Sequence, residues 1–129
     1  MNWRQFEGLT CEFFERAGFN VKIGKGRNDG SIDARIWPSG QSLTSAPAIL
    51  VQCKRQKARI DKVVVKALWA DVVAEKAQSG LIVTTSELAP GAQKVCLARG
   101  YRVGQANRAT LKKWVAAMRS PHSGVFLGT

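Results

Sequence analysis

The chain has 129 residues, 45% of them hydrophobic, which is enough for one hydrophobic core. Lysine and arginine number 20 against 9 acidic residues, a net charge of +11. No apolar run approaches the roughly 20 residues of a membrane span. The N-terminus lacks the central apolar block of a secretory signal, and the three cysteines are widely spaced with no C-x-x-C pair. These features exclude a disulfide scaffold and a zinc ribbon. They fit a cytoplasmic protein with a polyanionic partner and no membrane association.

The first predicted element is a helix over 2–17, with Trp3, Phe6, Leu9, Phe13, Phe14 and Ala17 at helical spacing. Asn2 is placed to cap it and Gly18 to stop it. A short strand follows around Val21 and Ile23, then a turn-rich loop over 24–30. Residues 31–36 alternate as a strand, with Ile32, Ala34 and Ile36 on one face and Asp33 and Arg35 on the other. A loop from Trp37 to Pro47 leads to the strand 48–54, whose unbroken apolar start predicts a buried, central position. Trp37, before a proline in this loop, is the tryptophan expected to be exposed.

After a basic connector (55–59), residues 61–79 read as the longest helix, apolar over much of its circumference and ended by Gly80. Then come a strand (81–85), a helix from Pro90 to Arg99, a short strand (101–103) and a last helix (110–119). The tail, 121–129, has no period and reads as loosely ordered. The order α-β-β-β-α-β-α-β-α predicts an α/β fold, a mixed β-sheet flanked by helices. The expected organisation is a single domain over 1–120 followed by the tail.

Ten basic residues but only three acidic ones lie between Lys22 and Lys66. Nucleic-acid phosphates are the expected target, with Lys25, Arg27, Arg55, Lys57 and Arg59 as the contacts. Gln52 and Lys54 are two apart on one strand and so share a face. If that strand pairs with the strand of Asp33, the three side chains meet at one sheet edge. Asp33 offers a hard cation an oxygen ligand, with the Gln52 amide oxygen and the Cys53 backbone carbonyl as further ligands. Lys54 would orient an attacking water and offset charge on a phosphate. On residue pattern alone, a Gln-Cys-Lys-Arg strand end more commonly reads as solvated surface, and an Asp beside a Gly-rich loop as a turn residue.

Other chemistries lack parts. The sole histidine, His122, lies in the tail, so Ser-His-Asp chemistry and histidine–metal nucleases are excluded. Gly24-x-Gly26 lacks the ending of a phosphate-binding loop. Cys53 points away from Gln52 and Lys54 and reads as core.

Four segments together resemble the Mrr-like branch of the PD-(D/E)xK nuclease superfamily: Phe6-Glu7-x-Leu9 with Phe14-x-x-x-Gly18-Phe19-x-Val21, then Asp29-Gly30-Ser31-Ile32-Asp33, Val51-Gln52-Cys53-Lys54-Arg55, and Gly80-Leu81-Ile82-Val83-Thr84-Thr85. They cover roughly the first hundred residues. The resemblance implies a restriction-endonuclease-like core and Mg²⁺-dependent DNA cleavage, with Mn²⁺ as a substitute. It implies Asp33 as metal ligand, Gln52 in place of the usual Glu, and Lys54 as the motif lysine. Ser31 departs from the usual Gly and touches the loop, not the ligand.

Losing a carboxylate to Gln52 leaves such a site short of negative charge. Glu7 lies at the margin of the apolar arc of the first helix, whereas Glu12 and Glu15 fall on its far side. Glu7 matches the family's Phe-Glu pair and is the expected auxiliary metal ligand; the alternative is an ion pair with a nearby Arg or Lys. The expected function is a DNA endonuclease, in restriction of foreign or modified DNA by resemblance. Double-strand cleavage would call for a homodimer, and the expected specificity is low, structure-directed or supplied by a partner. The alternatives are a non-catalytic nucleic-acid-binding module of the same fold and a junction-resolving nuclease.

Overall fold

The computed structural model describes residues 3–24, 32–54 and 56–119. The elements are α1 (Trp3–Arg16), β1 (Asn20–Ile23), β2 (Ala34–Trp37), β3 (Ile49–Lys54), α2 (Lys62–Glu75), β4 (Ser79–Thr84), α3 (Pro90–Arg99), β5 (Val103–Ala106) and α4 (Arg108–Arg119). The element order is the expected one. The strands form one sheet in sequence order, antiparallel from β1 through β3 and parallel from β3 through β5. No helix among the described residues is long and apolar enough to cross a membrane.

Alternation along β3 divides the core. Val51 and Cys53 join Cys11, Phe13, Phe14, Ala34, Ile36, Val83, Ala106 and Leu111 on the α1–α4 side. Leu50 joins Ile32, Ile60, Val65, Leu68, Val72, Ile82, Leu88 and Ala92 on the α2–α3 side. β3 is thus covered on both faces, as its apolar run requires.

Several local expectations differ from what is found. Ile32 does not share a face with Ala34 and Ile36: it packs on the α2–α3 side and they pack on the other. The reason is that β2 begins only at Ala34, so strict alternation does not extend back through Asp33. Arg35 does point to the α2 side, where its Nε and Nη2 donate to the two Glu75 carboxylate oxygens at 2.8 and 2.9 Å. Trp37 is buried, at 3% exposure, because its indole N–H donates to the Ser45 carbonyl at 2.9 Å and folds the loop over the ring.

α2 starts where Asp61 accepts from the Val63 and Val64 amides, and it ends at Glu75, with Lys76 left-handed at φ 59°. It is therefore shorter than its apolar pattern suggests, and it buries one face only: Val63 and Val73 are 66% and 60% exposed. Gly80 is no helix stop. It lies in β4, where an added Cβ would sit 2.9 Å from Leu68 Cγ and Cδ2, so its missing side chain lets α2 lie close on the sheet. β5 starts at Val103 rather than Tyr101, because Tyr101 is stacked on Trp69, with ring centroids 5.3 Å apart. Arg102 meanwhile donates to the Gln78 carbonyl and lies over the same indole.

Candidate active site

Asp33 stands immediately before β2, where the chain is about to enter the sheet. Its backbone N–H donates to the Val51 carbonyl at 2.9 Å, and its own carbonyl accepts from Gly24 N at 2.7 Å. Its Oδ2 accepts the Cys53 N–H at 2.7 Å. One residue thus bonds to both neighbours of Gln52 on β3, through its backbone on one side and its carboxylate on the other. The charge-assisted bond fixes the carboxylate in the plane of the sheet edge.

Gln52 is 6% exposed, and its Oε1 is buried with no hydrogen-bond donor among the described residues. A buried acceptor left without a donor costs about 1–3 kcal/mol. Buried polar groups in folded proteins are satisfied in the large majority of cases, so this oxygen calls for a partner beyond the described side chains, a water or a cation. Lys54 is the last residue of β3 and is half-buried. It pairs in register with Thr84 of β4, as Gln52 does with Ile82.

The Cys53 side chain turns to the α1–α4 core, away from Gln52 and Lys54. Its thiol is pushed well above the ordinary range, first by burial and then by the charges of Asp33, Glu7 and Cys11; a hydrogen bond with Thr10 opposes the shift. It is therefore a protonated core thiol rather than a nucleophile. Its backbone carbonyl lies between Gln52 and Lys54 on the strand. All three cysteines are free.

Glu7 is half-buried on α1, while Glu12 is exposed and paired with Arg16 at 2.9 Å. The charges of Asp33 and Glu7 both bear on the Cys53 thiol and on the Cys11 thiol, so the two carboxylates border one buried patch. Thr10, fully buried on α1 and bonded to Cys53, went unnoticed in the sequence. A polar residue spaced with Phe13 and Phe14 on an apolar helix face was the available signal.

Among the described residues no three His, Cys, Asp or Glu side chains form a metal-binding group. A cation here would rest on oxygens of mixed type: the Asp33 carboxylate, the Gln52 amide oxygen and backbone carbonyl. Such a set suits a hard divalent ion, and the donorless Gln52 Oε1 fits it. Of the expected backbone contacts, Lys57 and Arg59 are exposed on the connector after β3, whereas Lys25, Arg27 and Arg55 lie outside the described residues, as do Asp29 to Ser31 and the 121–129 tail.

The fold is shared with solved structures. MspJI restriction endonuclease, solved in complex with a 27-mer oligonucleotide, superposes with a TM-score of 0.58 at 21% identity, over 90% of this chain and 28% of that one. A protein of unknown function, AF1548, superposes with a TM-score of 0.62 at 14% identity, over 92% of this chain and 71% of that one. This chain thus spans little more than a quarter of the MspJI chain. No relative was found among curated proteins. The sequence matches the Mrr_cat restriction endonuclease family over residues 1–115. With that match over most of its length, and with a five-stranded mixed sheet in the expected element order, the chain belongs to the Mrr_cat restriction endonuclease family.

Proposed function

We propose that the chain is a Mg²⁺-dependent DNA endonuclease whose active site is built on Asp33, Gln52 and Lys54. The observation that carries this reading is the buried Gln52 Oε1, with no donor among the described residues, between the two β3 positions that Asp33 engages. Asp33, Gln52, the Cys53 carbonyl and Glu7 would hold the ion, with Mn²⁺ as a substitute. When bound, the ion supplies a more acidic water and offsets charge on the phosphoryl oxygens.

The remaining work falls to the chain itself. The bond between Asp33 and the Cys53 amide holds the carboxylate in place before any substrate arrives. Lys54 orients the attacking water and stabilises charge gathering on the phosphate as the water oxygen bonds to phosphorus and gives up a proton to solvent, while the ester oxygen leaves and takes one from solvent. Lys25, Arg27, Arg55, Lys57 and Arg59 grip the DNA backbone and fix its register without reading sequence. A homodimer would place two sites on opposite strands, and sequence preference would come from a partner or a further domain. A role in restriction of foreign or modified DNA follows from the family.

The test is plasmid cleavage with and without Mg²⁺, wild type beside Asp33→Ala. Mg²⁺-dependent nicking or linearisation that vanishes in the variant is the expected result. DNA binding without cleavage, under Mg²⁺ or Mn²⁺ and on plain, methylated and branched DNA, overturns it in favour of a binding module.

A further inference from the structure

A second polar feature opens where the parallel strands end. Just past the Lys54–Thr84 pair lies a cleft of about 580 Å³, walled by the connector after β3, the turn after β4 and the start of α4. Ligands of open α/β sheets commonly bind outside the carboxyl ends of parallel strands. The cleft sits on the β4 side of Lys54, whereas Asp33 flanks β3 from the β2 side.

Its lining is set up to donate. Lys57 and Lys112 both face it, and neither has an ion-pair partner among the described residues. Asn107 also lines it. The Asn107 amide oxygen accepts from Thr110 N at 3.2 Å and from Thr110 Oγ1 at 3.3 Å, which fixes the amide with its NH₂ group bonded to nothing among the described residues. Thr85 and Ser86 donate to the Gln56 and Lys57 carbonyls, both at 3.3 Å, and so pin the connector against β4. The backbone that carries Lys57 is therefore held in place while its ammonium stays free. Among the described residues Glu87 is the one acid that lines the cleft, against two lysines.

We propose that this cleft is a phosphate subsite for the nucleic-acid strand, gripped by Lys57, Lys112 and Asn107. The inference rests on the nuclease reading and extends it to α4, which the motifs do not reach. Two strand spacings separate β2 from β4, about 10 Å. The subsite thus lies across β3 from Asp33, on the β4 side. It would fix which way the strand runs across the site. Lys112 and Lys113 are both exposed on α4, whose sequence holds no acid, which suits the same polyanion.

The test is equilibrium binding of a fluorescent DNA duplex, with Ca²⁺ in place of Mg²⁺, across a salt series. Wild type is compared with Lys112→Ala, Lys57→Ala and the control Lys94→Ala, an exposed lysine on α3. Lys112→Ala and Lys57→Ala should each weaken binding severalfold, up to roughly tenfold. Each should lower the salt slope by about 1, with Lys94→Ala near wild type. If Lys112→Ala matches Lys94→Ala in both affinity and slope, the subsite is refuted while the nuclease reading stands. If wild type itself does not bind DNA at low salt, both are refuted. All these side chains are exposed, so circular dichroism suffices to show that the variants fold.

Discussion

The Asp33 carboxylate stands where a strand carbonyl would otherwise be, accepting the backbone N–H of Cys53 at 2.7 Å. A single side chain therefore closes the sheet ladder at the mouth of β2, beside the position of Gln52 on β3. On the proposed reading stability and chemistry meet on this residue, and the two contributions can be separated by substitution.

Asp33→Asn keeps an acceptor oxygen for Cys53 and removes the charge. It should fold with nearly wild-type stability and lose cleavage by roughly 10²–10³-fold, the scale of a lost charge interaction in the transition state. Asp33→Ala also deprives the Cys53 N–H of its acceptor, at a further cost of about 1 kcal/mol. Lys54→Ala should lose cleavage on the same scale while DNA binding persists. Urea unfolding beside plasmid cleavage measures both effects. Wild-type cleavage by both Asp33→Asn and Lys54→Ala would remove the site assignment.

Gln52 predicts opposite responses to two conservative changes. Gln52→Met removes the unsatisfied buried acceptor at similar volume, so the metal-free protein should be unharmed or gain up to about 1 kcal/mol. It should also lose any rise in Tm on adding Mg²⁺. Gln52→Glu buries a charge without a partner and should lower Tm in EDTA, with millimolar Mg²⁺ restoring more of it than wild type gains. Thermal melts in EDTA and in Mg²⁺ decide this. A Gln52→Met protein that melts well below wild type in EDTA would mean that the amide oxygen already has a donor.

Gly80→Ala should destabilise by about 1–3 kcal/mol through overpacking, since the new methyl would lie 2.9 Å from two Leu68 carbons and 3.3 Å from Val72 Cγ2. The matched control is Gly104→Ala in β5, whose methyl would meet Leu81 Cδ1 at 4.0 Å, ordinary contact. It should stay within about 0.5 kcal/mol of wild type. Equal losses in urea unfolding would show that strand propensity, not the α2 contact, governs both sites.

The parts of the fold legible beforehand are those with strong periodicity. The apolar run of β3 announced a central strand, and helical spacing announced α1. The misread boundaries share a cause: tertiary contacts that leave no local trace. Gly80 looks like a helix stop because its role, room for Leu68, lies across the layer. Trp37 looks exposed because Ser45, which takes its N–H, is eight residues away. Gly104 and Gln105 give β5 no alternation, since an edge strand needs little. For the candidate site, the family resemblance pointed to Asp33, Gln52 and Lys54, which residue pattern alone reads as solvated surface and a turn, and neither could disclose the Asp33–Cys53 bond or an amide oxygen with no donor among the described residues. Lys112 belongs to no motif, and only the folded arrangement brings it to the cleft with Lys57.

The buried thiols give the stability of the fold a pH dependence of definite sign. Burial, and then the charges of Glu7, Glu15 and Asp33, push the Cys11 thiol from its ordinary 9.0 up to about 11. In the unfolded chain it loses its proton near the ordinary value. Between these two pH values the folded state binds more protons than the unfolded state, so stability falls as pH rises through that window. The Cys53 thiol, raised by the same burial and by Asp33 and Glu7, pulls in the same direction. Cys11→Ala removes one of these contributions at the cost of a small cavity that does not titrate. Urea unfolding of both proteins at pH 8 and pH 10 should show a larger drop for wild type than for the variant. The comparison is of drops, so the cavity cost and the lysine titration common to both proteins cancel. Equal drops would mean that the Cys11 thiol ionises in the folded chain as readily as in the unfolded one, and that the carboxylates of Glu7 and Asp33 do not bear on it.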